Sequence, residues 1–343
     1  MTILFDINHP AHVHYFRNTI KKLKVEGHEV IVVSRNKEIE HELLRTYDIE
    51  FLSRGKGSSS YFGRFFYYIY SVFFNLWIIF SRNVDIVISF MHPYGVHASW
   101  LSGKPSIVFS DTEIAKLHHV MTLPFLTELH TPFTFKKDMG KRHTKFNSFM
   151  ELAYLNENQF TPDSNILKSL GITENTKFIL VRFVSRKSLH DHNHKGISKS
   201  DKLKLVSALS KCAKVFISSE IELPPELKSF ELTIDKAQIH QALYFANLFV
   251  GESGTMVSES ALLGTTAIYI DDIGRSYTEY LANKYNMVFQ FEENSDGISK
   301  TITKAEEYIL GEKENQLELR KSIINNYLNT DEYIYDQIQK YQK

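Results

Sequence analysis

Residues 248–272, LFVGESGTMVSESALLGTTAIYIDD, constrain this chain more than any other stretch. An apolar run, 248–250, meets Gly251; a Ser-Gly-Thr turn follows, then helix-compatible residues, Gly264, and a second apolar run, 267–270. That order spells strand, tight turn, helix and parallel strand, a single βαβ unit. Gly251 and Gly254 let the backbone turn sharply and approach a ligand closely, and the N–H groups that open the helix suit a phosphate. Glu259, roughly one to two turns into the helix, cannot help to bind an anion. It is placed to accept hydrogen bonds from a pair of sugar hydroxyls beyond the phosphates. Gly264 supplies the helix stop.

The rest of the chain repeats this alternation. Residues 3–7, 29–34, 49–52, 85–90, 106–109 and 128–131 read as strands, and most of the segments between them are long enough for crossover helices. Such a pattern predicts a parallel sheet covered on both faces. Around residues 149–165 it lapses into polar residues with Pro162, which reads as a linker. A second series follows: strand 178–184, helix 200–211, strand 214–218, helix 238–247, then the βαβ unit. The expected organisation is α/β, with Rossmann-like domains at 1–155 and 170–328. Residues 329–343 form a last helix that returns to the first domain.

Composition narrows the function. The 343 residues suffice for two domains, and 40 basic against 40 acidic residues give no charge excess for nucleic acid. Cys212 is the only cysteine, which excludes an internal disulfide and a thiolate zinc cluster. The opening TILFDI carries no basic and apolar leader, so a cytoplasmic protein is expected.

Ligands of open parallel sheets bind beyond the carboxyl ends of the strands, which directs attention to the loops. After the first strand come Asp6 and then Asn8-His9-Pro10-Ala11-His12-Val13-His14, with Pro10 favourable at a helix start. Alternate histidines in a turn are not the i, i+4 pair of a helical zinc site, so no metal is expected. An imidazole titrating near neutrality suits a general base instead, and His9 and His14 are the candidates. Asp111 and Glu113 follow the fifth strand in an apolar neighbourhood that raises a carboxyl pKa; alternatively, Asp111 caps a helix starting at Ile114. In the second half Arg182, Ser185, Arg186, Lys187, His190, Asp191, His192, His194 and Lys195 lead to Gly196, a basic loop suited to a diphosphate.

Residues 61–82, YFGRFFYYIYSVFFNLWIIFSR, stand apart. Between Arg64 and Arg82 lie seventeen uncharged residues, nine of them aromatic. At about 1.5 Å per residue that helix falls short of the roughly 20 residues of a membrane span. The reading is a sheet-packed helix with an apolar outer side. An exposed part of that side offers a landing face for a membrane or a lipid-linked acceptor.

The set Ser253-Gly254, Glu259 and Gly264 before a strand resembles the nucleotide-sugar motif in the C-terminal domain of GT-B fold proteins. Among these are the hydrolysing UDP-N-acetylglucosamine 2-epimerases and the lipid-intermediate transferase of peptidoglycan synthesis. The resemblance implies that the turn holds a diphosphate and Glu259 the ribose. Ser258 stands where a second acidic residue is common, and Thr266 where proline is common. His9-Pro10-Ala11-His12, Arg182, His190-Asp191 and Gly196 also resemble an uncharacterised family of GT-B-like proteins of bacteria and archaea. With the 253–264 motif that likeness spans nearly the whole chain. It implies a GT-B fold, two Rossmann-like domains facing across a cleft.

The combined expectation is a glycosyltransferase that needs no cofactor and uses a UDP-sugar as substrate. It acts on a cell-envelope, capsule or other surface-polysaccharide precursor. His9, His14 or Asp111 removes the acceptor proton; Arg182, Ser185, His190, Asp191, Gly196, Ser253, Gly254, Thr255 and Glu259 hold the nucleotide-sugar. The alternatives are a UDP-HexNAc 2-epimerase working through Asp111 or Glu113 and a histidine, and a non-catalytic nucleotide-sugar binder. Peripheral attachment at the inner face of a membrane and oligomer formation stay open.

Overall fold

The computed structural model describes residues 1–36, 39–58, 60–185, 196–311 and 316–342. It divides into two compact units, residues 1–159 with 327–343 and residues 160–326. The first unit alternates β1 (Thr2–Ile7), α1 (Pro10–Val25), β2 (Glu29–Ser34), α2 (Glu40–Thr46), β3 (Leu52–Ser53), α3 (Tyr61–Ser81), β4 (Ile86–Phe90), α4 (Pro93–Ser102), β5 (Ser106–Phe109), α5 (Lys116–Thr122) and β6 (Glu128–Pro132). β7 (His143–Phe146) and α6 (Leu152–Leu155) follow. The second unit carries α7 (Asn165–Ser169), β8 (Phe178–Phe183), α8 (Lys199–Leu209), β9 (Lys214–Ser219), α9 (Ile239–Phe245), β10 (Leu248–Gly251), α10 (Gly254–Leu262) and β11 (Ala267–Ile270). It closes with α11 (Ser276–Tyr285), β12 (Val288–Phe291), α12 (Ser295–Leu310) and α13 (Gln316–Ile324). The last helix, α14 (Thr330–Gln339), belongs to the first unit.

Every ladder is parallel. The first sheet runs β3-β2-β1-β4-β5-β6-β7 and the second β12-β11-β10-β8-β9. In the first, β1 pairs with β2 on one side and β4 on the other, so strand order reverses there. In the second, β10 lies between β8 and β11. Strands as apolar as ILVF cannot leave a face in water, and β1, β4, β5, β8, β10 and β11 are almost entirely buried.

α14 seats its buried face, with Asp331, Ile334 and Ile338, against the first unit. The Thr19 hydroxyl donates to Asp331, Tyr335 to Glu26, and Tyr333 stacks on Phe146 with ring centroids 4.6 Å apart. Burial raises the Asp331 carboxyl pKa, and the Thr19 hydrogen bond partly offsets that shift.

Local expectations fail where sequence is least periodic. β3 covers Leu52–Ser53 rather than 49–52, because Asp48 turns the chain with φ 54° and Phe51 packs on the His41 ring instead. The polar edge strand β7 carries no apolar run to announce it. The segment read as linker contains α6, four buried residues whose Ala153 carbonyl accepts from Asn18 on α1 at 2.9 Å. α5 starts at Lys116 with Ala115 at its N-cap, so Asp111 caps no helix from Ile114.

Candidate functional site

In the second unit the site forms beyond β10 and β11. Ser253 is the N-cap of α10, its hydroxyl accepting from the Met256 N–H at 3.4 Å, and no acidic residue lies in the first turn. Gly254 is where side chains crowd in. A β-carbon there would meet the Tyr269 hydroxyl at 3.0 Å, the Tyr277 hydroxyl at 3.1 Å and Arg275 Cγ at 3.2 Å. The backbone N–H groups of one helix, two phenols and an arginine therefore converge on a residue without a side chain. Helix N–H dipoles and phenol hydroxyls suit a polyanion, and the Arg275 side chain, whose Cγ borders the glycine, adds positive charge beside them.

Arg275 is positioned from β11. Asp271, buried at the strand end, accepts from the Ile273 and Gly274 N–H groups at 2.9 and 2.7 Å, which folds the turn. Arg275 then caps α11, its guanidinium donating to the Gly274 carbonyl and lying 3.6 Å from Asp271. The signal was in the sequence: DDIGRS repeats the strand, turn and helix logic of the opening motif, with an arginine at the turn.

Glu259 lies buried one turn deeper and accepts from His240 Nε2 at 2.9 Å. Arg182, expected to face a diphosphate, donates to Glu220 at 2.5 Å and to Ser218 at 2.7 Å, and the Ser185 N–H donates to the same Glu220. Glu252, which the sequence reading passed over, accepts from the Val184 and Ile197 N–H groups, both at 3.2 Å. Thr255 sits in the first turn of α10, and Gly196 has φ 66°. His190 and Asp191 lie outside the described residues.

The first unit builds a different arrangement. Asp6, at the end of β1, accepts from Arg54 at 2.5 Å and from the Gly95 N–H at 2.8 Å, with both charged side chains wholly buried. Gly95 is required, since a β-carbon there would sit 2.8 Å from the Asp6 carboxylate. Arg54 also donates to Asn8 at 2.5 Å and lies over the Tyr94 ring. Nearby, Glu40 is pushed up to about 7 by burial, against hydrogen bonds from Ser34 and the Arg35 N–H.

Imidazoles and phenols surround this ion pair. The helical spacing of α1 sets His9, His12 and Tyr15 in a row, His12 4.5 Å and Tyr15 5.3 Å from the Phe90 ring. The Tyr15 hydroxyl donates to Asp111 at 3.1 Å. His9 is exposed and caps α1, with Nδ1 accepting from the Ala11 N–H at 3.2 Å; its neutral ring then carries the proton on Nε2. His14 is buried, between the Tyr47 and Tyr154 rings. Glu113 accepts from the Lys136 N–H at 2.7 Å. Thus His9 and Asp111 bracket one row, and His14 and Glu113 serve other contacts.

His92, in the Met91-His92-Pro93-Tyr94-Gly95 segment that follows β4 where the sequence predicts cleft residues, is the N-cap of α4. Its ring lies 4.8 Å from His118 and 4.1 Å from Tyr94, and its Nδ1 has no partner among the described residues. Burial, then the positive charge of His118 and Arg54, holds its pKa well below the ordinary value. The ring is therefore neutral near pH 7.

Residues 1–341 match a sequence family described as "Protein of unknown function (DUF354)". A relative in Methanocaldococcus jannaschii, an uncharacterized protein, is 26% identical over 302 residues, covering 84% of this chain and 87% of its own. Among solved structures, UDP-GlcNAc 2-epimerase from Neisseria meningitidis bound to UDP-GlcNAc superposes with a TM-score of 0.73 at 13% identity, over 99% of this chain and all of that one. A putative UDP-N-acetylglucosamine 2-epimerase from Listeria monocytogenes gives 0.73 at 12% identity, over 100% and 96%. MurG of Acinetobacter baumannii gives 0.60 at 13% identity, over 99% and 100%. These likenesses assign the GT-B class of α/β fold, two Rossmann-like units.

Proposed function

This chain belongs to the DUF354 family, and from that premise we propose that it is a glycosyltransferase consuming a nucleotide-activated sugar, with a surface-polysaccharide precursor as acceptor. The observation that carries the reading is the convergence of Arg275, Tyr269 and Tyr277 on Gly254 at the start of α10. A sugar-nucleotide diphosphate matches that set in charge and in its demand for donors. As the glycosidic bond to the nucleotide breaks, negative charge grows on the departing diphosphate, and donors already aimed there stabilise it.

In the first unit, Asp111 is our candidate to take the acceptor proton, oriented by the Tyr15 hydroxyl. His9, protonated on Nε2 when neutral, is suited to donate a hydrogen bond to the acceptor rather than to accept its proton. No step requires a metal. Two epimerases among the superposed proteins have higher TM-scores than MurG, 0.73 against 0.60. That favours one second reading, a UDP-HexNAc 2-epimerase in which Asp111 handles the proton at C2.

One experiment separates the two. The protein is incubated with UDP-N-acetylglucosamine in deuterated water without acceptor, because epimerisation must exchange the C2 hydrogen and transfer has no reason to. The transferase reading expects slow release of UDP and no deuterium at C2. Incorporation that disappears in Asp111→Asn establishes the epimerase instead. If UDP binds in neither the parent protein nor the variants, both readings fail.

A further inference from the structure

We propose that the outward face of α3 is a docking surface for an anionic lipid bilayer. The helix is amphipathic in the wrong sense for a soluble core. Its inward side carries Ser71 and Asn75 among Val72, Ile78 and Ile79, packed on Val33, Val87 and Ala98. Its outward side carries Phe62, Phe65, Phe66, Phe73, Trp77 and Phe80, each more than half exposed. At about 100° per residue these six fall on one stripe along the helix. A helix that buries Ser71 and Asn75 and offers its aromatics to solvent has an outer face shaped for an apolar medium.

Chemistry and charge choose the medium. No described helix is long and apolar enough to cross a membrane, and the inward side of α3 is already committed to the sheet, so the stripe can only lie on a surface. Aromatic rings are the side chains that favour the headgroup boundary. Between Glu50 and Asp111 the only acidic residue is Asp85, and it accepts from the Thr2 N–H at 2.9 Å. The same stretch holds Arg54, Lys56, Arg64, Arg82 and Lys104, in a chain whose charges balance overall. Arg54 is buried on Asp6, but Lys56, Arg64 and Arg82 are exposed at the helix ends. A second copy of the chain is a poorer occupant. A two-fold interface sets the patch against itself and brings no acidic residue of α3 against Arg64 or Arg82, the latter already 3.9 Å from Glu29. On α4, packed beside α3, Trp100 and Leu101 are exposed as well.

The proposal stands on the helix alone, so its failure leaves the nucleotide-sugar reading untouched. The test is sedimentation of the full chain with vesicles of phosphatidylglycerol and phosphatidylcholine, against phosphatidylcholine alone. Trp77 and Trp100 are the only tryptophans, so Trp100→Phe makes Trp77 the sole fluorescent reporter. Expected are binding to the anionic vesicles, release as salt is raised, and a blue shift of Trp77 on binding. The triple variant Phe66→Gln, Phe73→Gln, Trp77→Gln should keep its denaturation midpoint, because these side chains are exposed, and lose about tenfold or more in partitioning. Arg64→Gln with Arg82→Gln should lose roughly tenfold or more at low salt and less at high salt. Three results overturn the proposal: no vesicle binding at any salt, binding undiminished in the aromatic variant, or a concentration-dependent dimer abolished by that variant without vesicle binding.

Discussion

Two helix N-termini, α4 in the first unit and α10 in the second, follow equivalent strand ends and solve the same electrostatic problem oppositely. α4 opens on Pro93 and Gly95, and the chain's own Asp6 carboxylate accepts from the Gly95 N–H, balanced by buried Arg54. α10 opens on Ser253 and Gly254 with no acid in its first turn, and Arg275 and two phenols face the glycine. In the first unit a glycine admits an internal anion; in the second it keeps the approach clear of a side chain. One end is filled by the chain's own carboxylate, and the other carries no acidic residue in its first turn. The groups around them agree: titratable rings gather near Asp6, fixed donors near Gly254.

The comparison breaks most directly at Asp6. Asp6→Asn strands Arg54 in the core, and the first unit should lose about 3–5 kcal/mol, the cost of breaking a buried pair. Urea unfolding measures it; an unchanged midpoint would mean that the pair is solvated and the contrast false. Acid reads the same half without a substitution. His92 has a depressed pKa when folded, so the unfolded chain binds its proton first and stability falls as pH drops below 6.5. His92→Phe should lack that component of the profile, and a profile identical to the parent's would refute the assignment.

The second unit predicts binding effects as well as folding ones. Arg275→Ala should weaken UDP by about 1.5–3 kcal/mol, the range for a hydrogen bond to a charged group, and lower the unfolding midpoint through its lost contacts to Gly274 and Asp271. Calorimetry with unaltered affinity would remove Arg275 from the site. The smallest effect belongs to Ser253→Ala, about 1 kcal/mol of stability from the lost cap. Ligand should restore part of that loss if it shares the α10 N–H groups, and a midpoint indifferent to UDP would separate the cap from the site.

Much of this was legible beforehand. The βαβ unit at 248–270, the switch to parallel strands, the helix start at Pro10 and the inward and outward sides of α3 are all consequences of local period and of glycine and proline placement. Glu252 and Arg275 are legible too, in GESG and DDIGRS, each just beyond a strand end. What could not be read was partnership. Arg182 looks like a diphosphate cation until Ser218 and Glu220 arrive from 36 and 38 residues away. Glu259 looks like a free carboxylate until His240 is folded against it.

The sequence by itself determined the alternation of strands and helices, the turn at Gly254 and the uncharged aromatic run of α3, because each depends on residues within a few positions of one another. Tertiary structure decided which charges meet. Asp6 and Arg54 are 48 residues apart, Thr19 and Asp331 312 apart, and Tyr15 and Asp111 96 apart. Hydrogen bonds and ion pairs act over a few ångströms of space, and sequence spacing fixes such distances only within a turn of one element. Between elements the parallel order of the sheets sets them, and with them which side chains stabilise the fold and which are offered to a ligand.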